Sequence, residues 1–392
     1  MLLITSPIHF GIKIVFWIPE LKNRLNVFKT KFPLALGLLC FSLNATAQVE
    51  ELNPEEQAYR DSITALNLEN AAIANSQEAY NKGIELFKQK NFNSAIKEFE
   101  KSIKFDPNFT AAYYNKGVAE NEVQKFDNAV KTLTKLIELK SGYSKAYFQR
   151  GRAYQGNNDY LKAETDYEEA IKLDGSNPKA YYNFGTLKFL QQDYKGAIKF
   201  FSKTIDLDSD FLNAYNDRGS SHRMLGDYTQ AIADYETAVR KNPNLAFVLN
   251  NIGTTKAKMG NYDGALASYN RAISVDAKFH LAYNNRGVLQ MDKGRLDDAE
   301  KDFKKALDLK SDYSAAASNL SGVYFKKKEY KTALDWANKA VKMDKDNAAA
   351  YVNRGMAKEM TRDMVGACED WHTAKDLGSE TGKNYYSGNC GF

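Results

Sequence analysis

One interval governs this chain. Counting in steps of 34 from Gly83 lands on Gly117, Gly151, Gly185, Gly219, Gly253, Gly287, Ser321 and Gly355. The same step from Ala95 lands on Ala129, Ala163, Ala197, Ala231, Ala265, Ala299, Ala333 and Ala367. No insertion breaks the register from Ser76 to Thr381. Self-similarity at this period marks stacked supersecondary units, each too small to bury an apolar face alone.

Residue types around these positions predict the packing. Large side chains recur at the fourth place of the unit (Tyr113, Tyr147, Tyr181, Tyr215, Tyr283, Tyr351) and at the 24th (Phe99, Tyr167, Phe201, Tyr235, Tyr269, Phe303, Trp371). Two short helices per unit, meeting at the glycine and the alanine with rings filling the space around them, satisfy that pattern. Turn residues punctuate the units, as in Asp106-Pro107-Asn108 and Asn242-Pro243-Asn244.

The period and the small/large pattern resemble the tetratricopeptide repeat family. The resemblance implies an all-α, right-handed superhelical solenoid of nine 34-residue helix-turn-helix units with helical caps. The units are 76–109, 110–143, 144–177, 178–211, 212–245, 246–279, 280–313, 314–347 and 348–381. Ala79, Ala317 and Ser321 depart from the pattern. Before the array, residues 48–75 read as a capping helix, with Asn53 as N-cap, Pro54 at the first turn and Glu55 and Glu56 behind it. That helix is expected to run to about Ala74 and to cover the first unit. Residues 382–392 form a short tail.

Residues 1–47 read as an N-terminal extension and a secretory signal, with Lys29 and Lys31 ahead of the apolar run Phe32–Leu43 and a cleavage point between Ala47 and Gln48. An uncleaved anchor is the alternative, because the signal does not start at Met1. This points to an exported, periplasmic protein of Gram-negative type, free or associated with a membrane complex. Cys368 and Cys390 then remain, and an even count in an exported chain suggests a disulfide; two free thiols are the alternative.

The resemblance also places the first helix of each unit on the concave face. At the sixth place stand Asn81, Asn115, Gln149, Asn183, Asp217, Asn251, Asn285, Asn319 and Asn353. A ladder of amides can donate to and accept from the backbone of an extended partner. It resembles the asparagine ladder in the repeat region of protein O-glycosyltransferases; local helix contacts would use the same residues. The fifth place reads Tyr80, Tyr114, Phe148 and Tyr182, then Asn216, Asn250 and Asn284. The four aromatics form either a binding stripe or filler between neighbouring helices. Arg150, Arg218, Arg286 and Arg354 occupy the seventh place of alternate units, suited to local pairing or to holding carboxylates.

Other chemistry finds little footing. Beyond residue 47 the chain carries 49 basic and 48 acidic residues, so nucleic acid is not an expected partner. His9, His222, His280 and His372 show no metal-ligand spacing, and there is no phosphate loop or nucleophile elbow. No catalytic residues, metal, cofactor or small-molecule substrate are expected. The leading expectation is a scaffold or adaptor binding a protein or extended peptide in its groove. A structural spacer in an envelope complex and a regulatory subunit of a separate enzyme are the alternatives, with self-association through end units a further expectation.

Overall fold

The computed structural model describes residues 53–391. The signal segment, with Ala47 and Gln48, lies outside the described residues. Contacts divide the chain into Met1–Ala65 and Leu66–Phe392.

In the first part the described residues open helix α1 (Pro54–Lys88), where Asn53 Oδ1 accepts from the Glu56 amide at 2.9 Å. The helix does not end at Ala74 as expected from sequence; it continues through the first helix of the first unit to Lys88. No proline or glycine interrupts it between Glu55 and Lys82. Residues 66–71 are exposed rather than packed over the first unit.

The second part is an all-helical array. Helix α2 (Phe92–Phe105) completes the first unit. The next three units are α3/α4 (Thr110–Glu122, Phe126–Leu139), α5/α6 (Ser144–Gly156, Tyr160–Leu173) and α7/α8 (Pro178–Leu190, Tyr194–Leu207). Then come α9/α10 (Leu212–Met224, Tyr228–Lys241), α11/α12 (Ala246–Lys258, Tyr262–Val275) and α13/α14 (His280–Asp292, Leu296–Leu309). The last two are α15/α16 (Ser314–Lys326, Tyr330–Met343) and α17/α18 (Ala348–Met360, Met364–Asp376). Residues 382–392 are more than a tail: helix α19 (Glu380–Asn389) occupies them, capped by the Ser379 hydroxyl, which accepts from the Gly382 amide at 3.1 Å. Its Tyr385 falls 34 residues after Tyr351, so α19 continues the register as the first helix of an unfinished unit. The Tyr385 ring stacks on Trp371 at 5.1 Å, and a disulfide joins Cys390 to Cys368 in α18.

The recurrent glycine is set by the opposing ring. A Cβ on Gly287 would lie 2.8 Å from the Phe303 ring, and one on Gly253 would lie 2.6 Å from that of Tyr269. The recurrent alanines are fully buried at the same crossing. Unit eight inverts the pair: Ser321 replaces the glycine, and Ala337 stands where the other units carry a large side chain. The Ser321 hydroxyl donates to the Ala333 carbonyl at 2.8 Å. First helices close with a left-handed residue, glycine only at Gly226, Gly260 and Gly294 among the nine units. Between units, Asp106, Asp174, Asp208, Asn242, Asp276 and Asp344 accept from the amide two residues on, closing an Asx turn.

Curvature follows from helix contacts. From unit two onward each first helix touches the first helix of the next unit, whereas second helices of successive units do not meet. The first helices are therefore the crowded side of the array and line its inner face.

Candidate partner-binding face

The sixth and fifth places interlock across units. Asn251 Nδ2 donates to Asn216 Oδ1 at 2.9 Å, Asn285 Nδ2 to Asn250 Oδ1 at 3.0 Å, and Asn319 Nδ2 to Asn284 Oδ1 at 3.0 Å. Asn353 Nδ2 extends the series onto the Ser318 carbonyl at 2.8 Å and hydroxyl at 3.0 Å. Each bond spans one unit plus one residue. The two runs of amides are thus one internal ladder, in which a sixth-place residue reaches back to the fifth place of the unit before.

The N-terminal half varies the same device. Asn115 Nδ2 donates to the Tyr80 hydroxyl at 2.9 Å. Between Tyr182 and Asp217 the direction reverses: the phenol donates to the carboxylate at 2.6 Å, because an ionised carboxylate can only accept. Burial raises the pKa of both groups, and the Asp217 charge pushes Tyr182 up further. Where the fifth-place side chain has no polar atom the link is absent. Asn183, behind Phe148, turns onto its own helix and donates to the Lys179 carbonyl at 2.8 Å. Asn81 has no unit before it and accepts from Gln77, while Gln149, whose fifth-place counterpart is the hydroxyl-bearing Tyr114, accepts from Arg152.

The aromatic stripe packs into the array. Tyr80 lies 4.9 Å from Phe109, Tyr114 5.6 Å from Tyr143 and Tyr182 4.7 Å from Phe211, ring to ring, each against the residue that closes its own unit. Phe148 is buried against Tyr167. The fifth-place Asn216, Asn250 and Asn284 are buried as well. What the inner face offers to solvent is the half-buried sixth place, where the Oδ1 atoms of Asn251, Asn319 and Asn353 take no hydrogen bond among the described residues.

Two residues that sequence reasoning did not single out adjoin this row. Phe247 and Leu281, 39% and 37% exposed, lie one helical turn before Asn251 and Asn285 on the same helix face. The signal was legible: Lys145, Lys179 and Asn213 hold the second place in the preceding units, and the change to apolar residues is abrupt.

The alternate arginines pair locally. Arg286 grips Asp302 through Nε–Oδ2 at 2.7 Å and Nη2–Oδ1 at 2.6 Å, while its Nη1 donates to Asn270 of the preceding unit at 2.6 Å. Arg150–Asp166, Arg218–Asp234 and Arg354–Asp370 repeat the fork. Each guanidinium also stands over the fourth-place ring of its unit, Tyr147, Tyr215, Tyr283 or Tyr351. In units four and eight the same two places hold Phe184 with Phe200, stacked at 4.0 Å, and Leu320 with Trp336. The array thus alternates an ionic and an apolar version of one contact, and its arginines are committed to it.

Among the described residues no group of three or more metal-ligating side chains gathers, and no helix is long and apolar enough to cross a membrane.

Tetratricopeptide repeat models match residues 75–109 and 110–143, residues 148–210, 250–314 and 290–350, and residues 210–278. No curated protein matches the sequence. Among solved structures, a tetratricopeptide repeat protein from Parabacteroides merdae is 19% identical with a TM-score of 0.54, covering 63% of this chain and 99% of that one. The APC/C hetero-tetramer Cut9–Hcn1 is 15% identical with a TM-score of 0.52, covering 80% and 75%. MamA is 28% identical over 41% of this chain and 94% of its own, with a TM-score of 0.38.

Proposed function

The chain belongs to the tetratricopeptide repeat family, and on that premise we propose that it is a non-enzymatic scaffold or adaptor that binds an extended protein segment along its inner face. The observation that carries this reading is the ladder. Its inter-unit bonds fix a row of amides at one-unit spacing, and at Asn251, Asn319 and Asn353 the row leaves the Oδ1 acceptor without a hydrogen bond among the described residues. A fixed row loses little entropy when a peptide backbone pairs with it. Phe247 and Leu281 add apolar contact beside the amides, so the middle units are where a side chain of the partner anchors.

The proposed setting is outside the cytoplasm. The Cys368–Cys390 bond suits an oxidising compartment, and the basic-apolar segment with its Ala47–Gln48 cleavage point suits export.

In-cell crosslinking and pull-down test the reading, with the parent beside two variants. One carries Asn251→Ala, Asn285→Ala and Asn319→Ala; the other carries Phe247→Ser and Leu281→Ser, which touches no rung. A partner captured by the parent and lost from both variants, with helicity retained, supports inner-face binding. The same partner held equally by all three chains rejects it and moves attention to the second helices and the ends.

A further inference from the structure

A cleft of about 480 Å³ opens on the second-helix side of the array, between α10 and α12, with α11 as its floor. Buried Val239, Leu249 and Ile252 make that floor apolar. Its origin is a missing ring. In unit four the seventh-place Phe184 is covered by Phe200, and in unit eight Leu320 packs beside Trp336. In unit six Ile252 faces Ser268, whose hydroxyl turns away to donate to the Gly264 carbonyl at 2.7 Å. A serine does not fill a ring's volume, and Ala267 stands where unit four carries Lys199.

The rim is cationic. Arg240, Lys256 and Arg271 line the cleft with one acid, Glu236. Two of the equivalent cations two units earlier are neutralised, Lys172 by Glu169 at 2.9 Å and Lys188 by Glu164 at 2.6 Å, whereas Lys203, at the place of Arg271, forms no ion pair among the described residues. Lys256 has Ile232 at the place equivalent to Glu164, and Arg240 donates only to the Thr237 hydroxyl, at 2.9 Å. Among the described residues none of the three rim cations forms an ion pair. Three unneutralised cations around an apolar floor favour an occupant that brings both carboxylates and an apolar group.

We propose that this cleft docks an acidic protein segment carrying one aromatic side chain. The ring takes the place that Phe200 and Trp336 fill in the sister units, over Ile252, and flanking carboxylates meet Arg240, Lys256 and Arg271. The site is separate from the inner-face ladder and does not depend on it.

The test titrates the full chain with the peptide acetyl-Glu-Asp-Phe-Asp-Glu-amide, reading calorimetry and the Ile252 methyl resonance. Controls are the Gln/Asn analogue, the analogue with Ala for Phe, and a single-stranded oligonucleotide. Binding by the parent, weaker by about tenfold for each peptide analogue and falling with salt, is expected. Ser268→Phe should raise the melting temperature by filling the cleft and should abolish binding, while Arg240→Gln with Arg271→Gln should weaken binding without loss of helicity. No peptide binding by the parent overturns the proposal. So does equal binding of the neutral analogue, unchanged binding by either variant, or an oligonucleotide that binds as well as the acidic peptide.

Discussion

Arg286 and Asp302 sit 16 residues apart and share two hydrogen bonds, at 2.7 and 2.6 Å, inside one unit, while the same arginine reaches Asn270 of the unit before at 2.6 Å. Phe184 and Phe200, at the same two places, meet as stacked rings at 4.0 Å. The two pairs are interchangeable solutions to one crossing, so the residues are coupled.

That coupling is measurable. Arg286→Leu alone leaves the buried Asp302 carboxylate without its cation and should cost on the order of 3 kcal/mol. Arg286→Leu with Asp302→Trp, the combination of unit eight, should recover most of it. Denaturant midpoints of the parent, both singles and the double form the cycle; additive effects would show that the places are independent.

A second coupled pair is Gly287 and Phe303. Gly287→Ala puts a Cβ 2.8 Å from the Phe303 ring. Overpacking of this kind costs about 1–3 kcal/mol. Gly287→Ser with Phe303→Ala reproduces the Ser321/Ala337 arrangement and should cost less than the two singles summed. Thermal melts of the four chains check it.

Removing one rung should leave a buried acceptor unmet. Asn285→Ala strips Asn250 Oδ1, on a residue only 7% exposed, of the donor that reaches it from the next unit. A loss of about 1–3 kcal/mol is expected, concentrated at the junction of units six and seven. Amide hydrogen exchange across α11 and α13 locates it; uniform protection would refute the ladder's role in holding units together.

Glu300 gives a pH signature. Hydrogen bonds from Lys304 and Lys327, and then from Tyr324, hold its carboxyl down at about 2, against an ordinary 4.5. A depressed folded-state pKa adds stability that is full above the unfolded value and vanishes as pH falls through the folded one. The parent should therefore exceed Glu300→Gln in stability above about pH 4.5, the margin closing toward pH 2. Paired melts from pH 7 downward read the difference; a constant gap would show that the charge is not what the contact uses.

The Cys368–Cys390 bond closes a loop of 22 residues over α19. Cys390→Ser should lower stability at this end by about 3 kcal/mol and expose the amides of α19 to exchange first. Protection of α19 unchanged from the parent would place the cap's stability in the Trp371–Tyr385 stack alone.

By itself the sequence determined the fold. A strict period with glycine and alanine at fixed places admits helix pairs and little else, since each small residue implies a close crossing and each ring a space beside it. It also presented the amides, the aromatics and the alternate arginines as series, and these are series in the structure. Their partners were decided by tertiary packing. Asn285 meets Asn250 because neighbouring first helices are offset by one residue, and a period read down a single column does not show an offset between two columns. Asp302 stands between Lys301 and Phe303 in the chain and was not singled out; the helix crossing within the unit carries it to Arg286. The end of α1 at Lys88 was misplaced from sequence because a change of unit need not break a helix. Local periodicity fixes which residues recur, while the stagger and crossing of packed helices fix which of them touch.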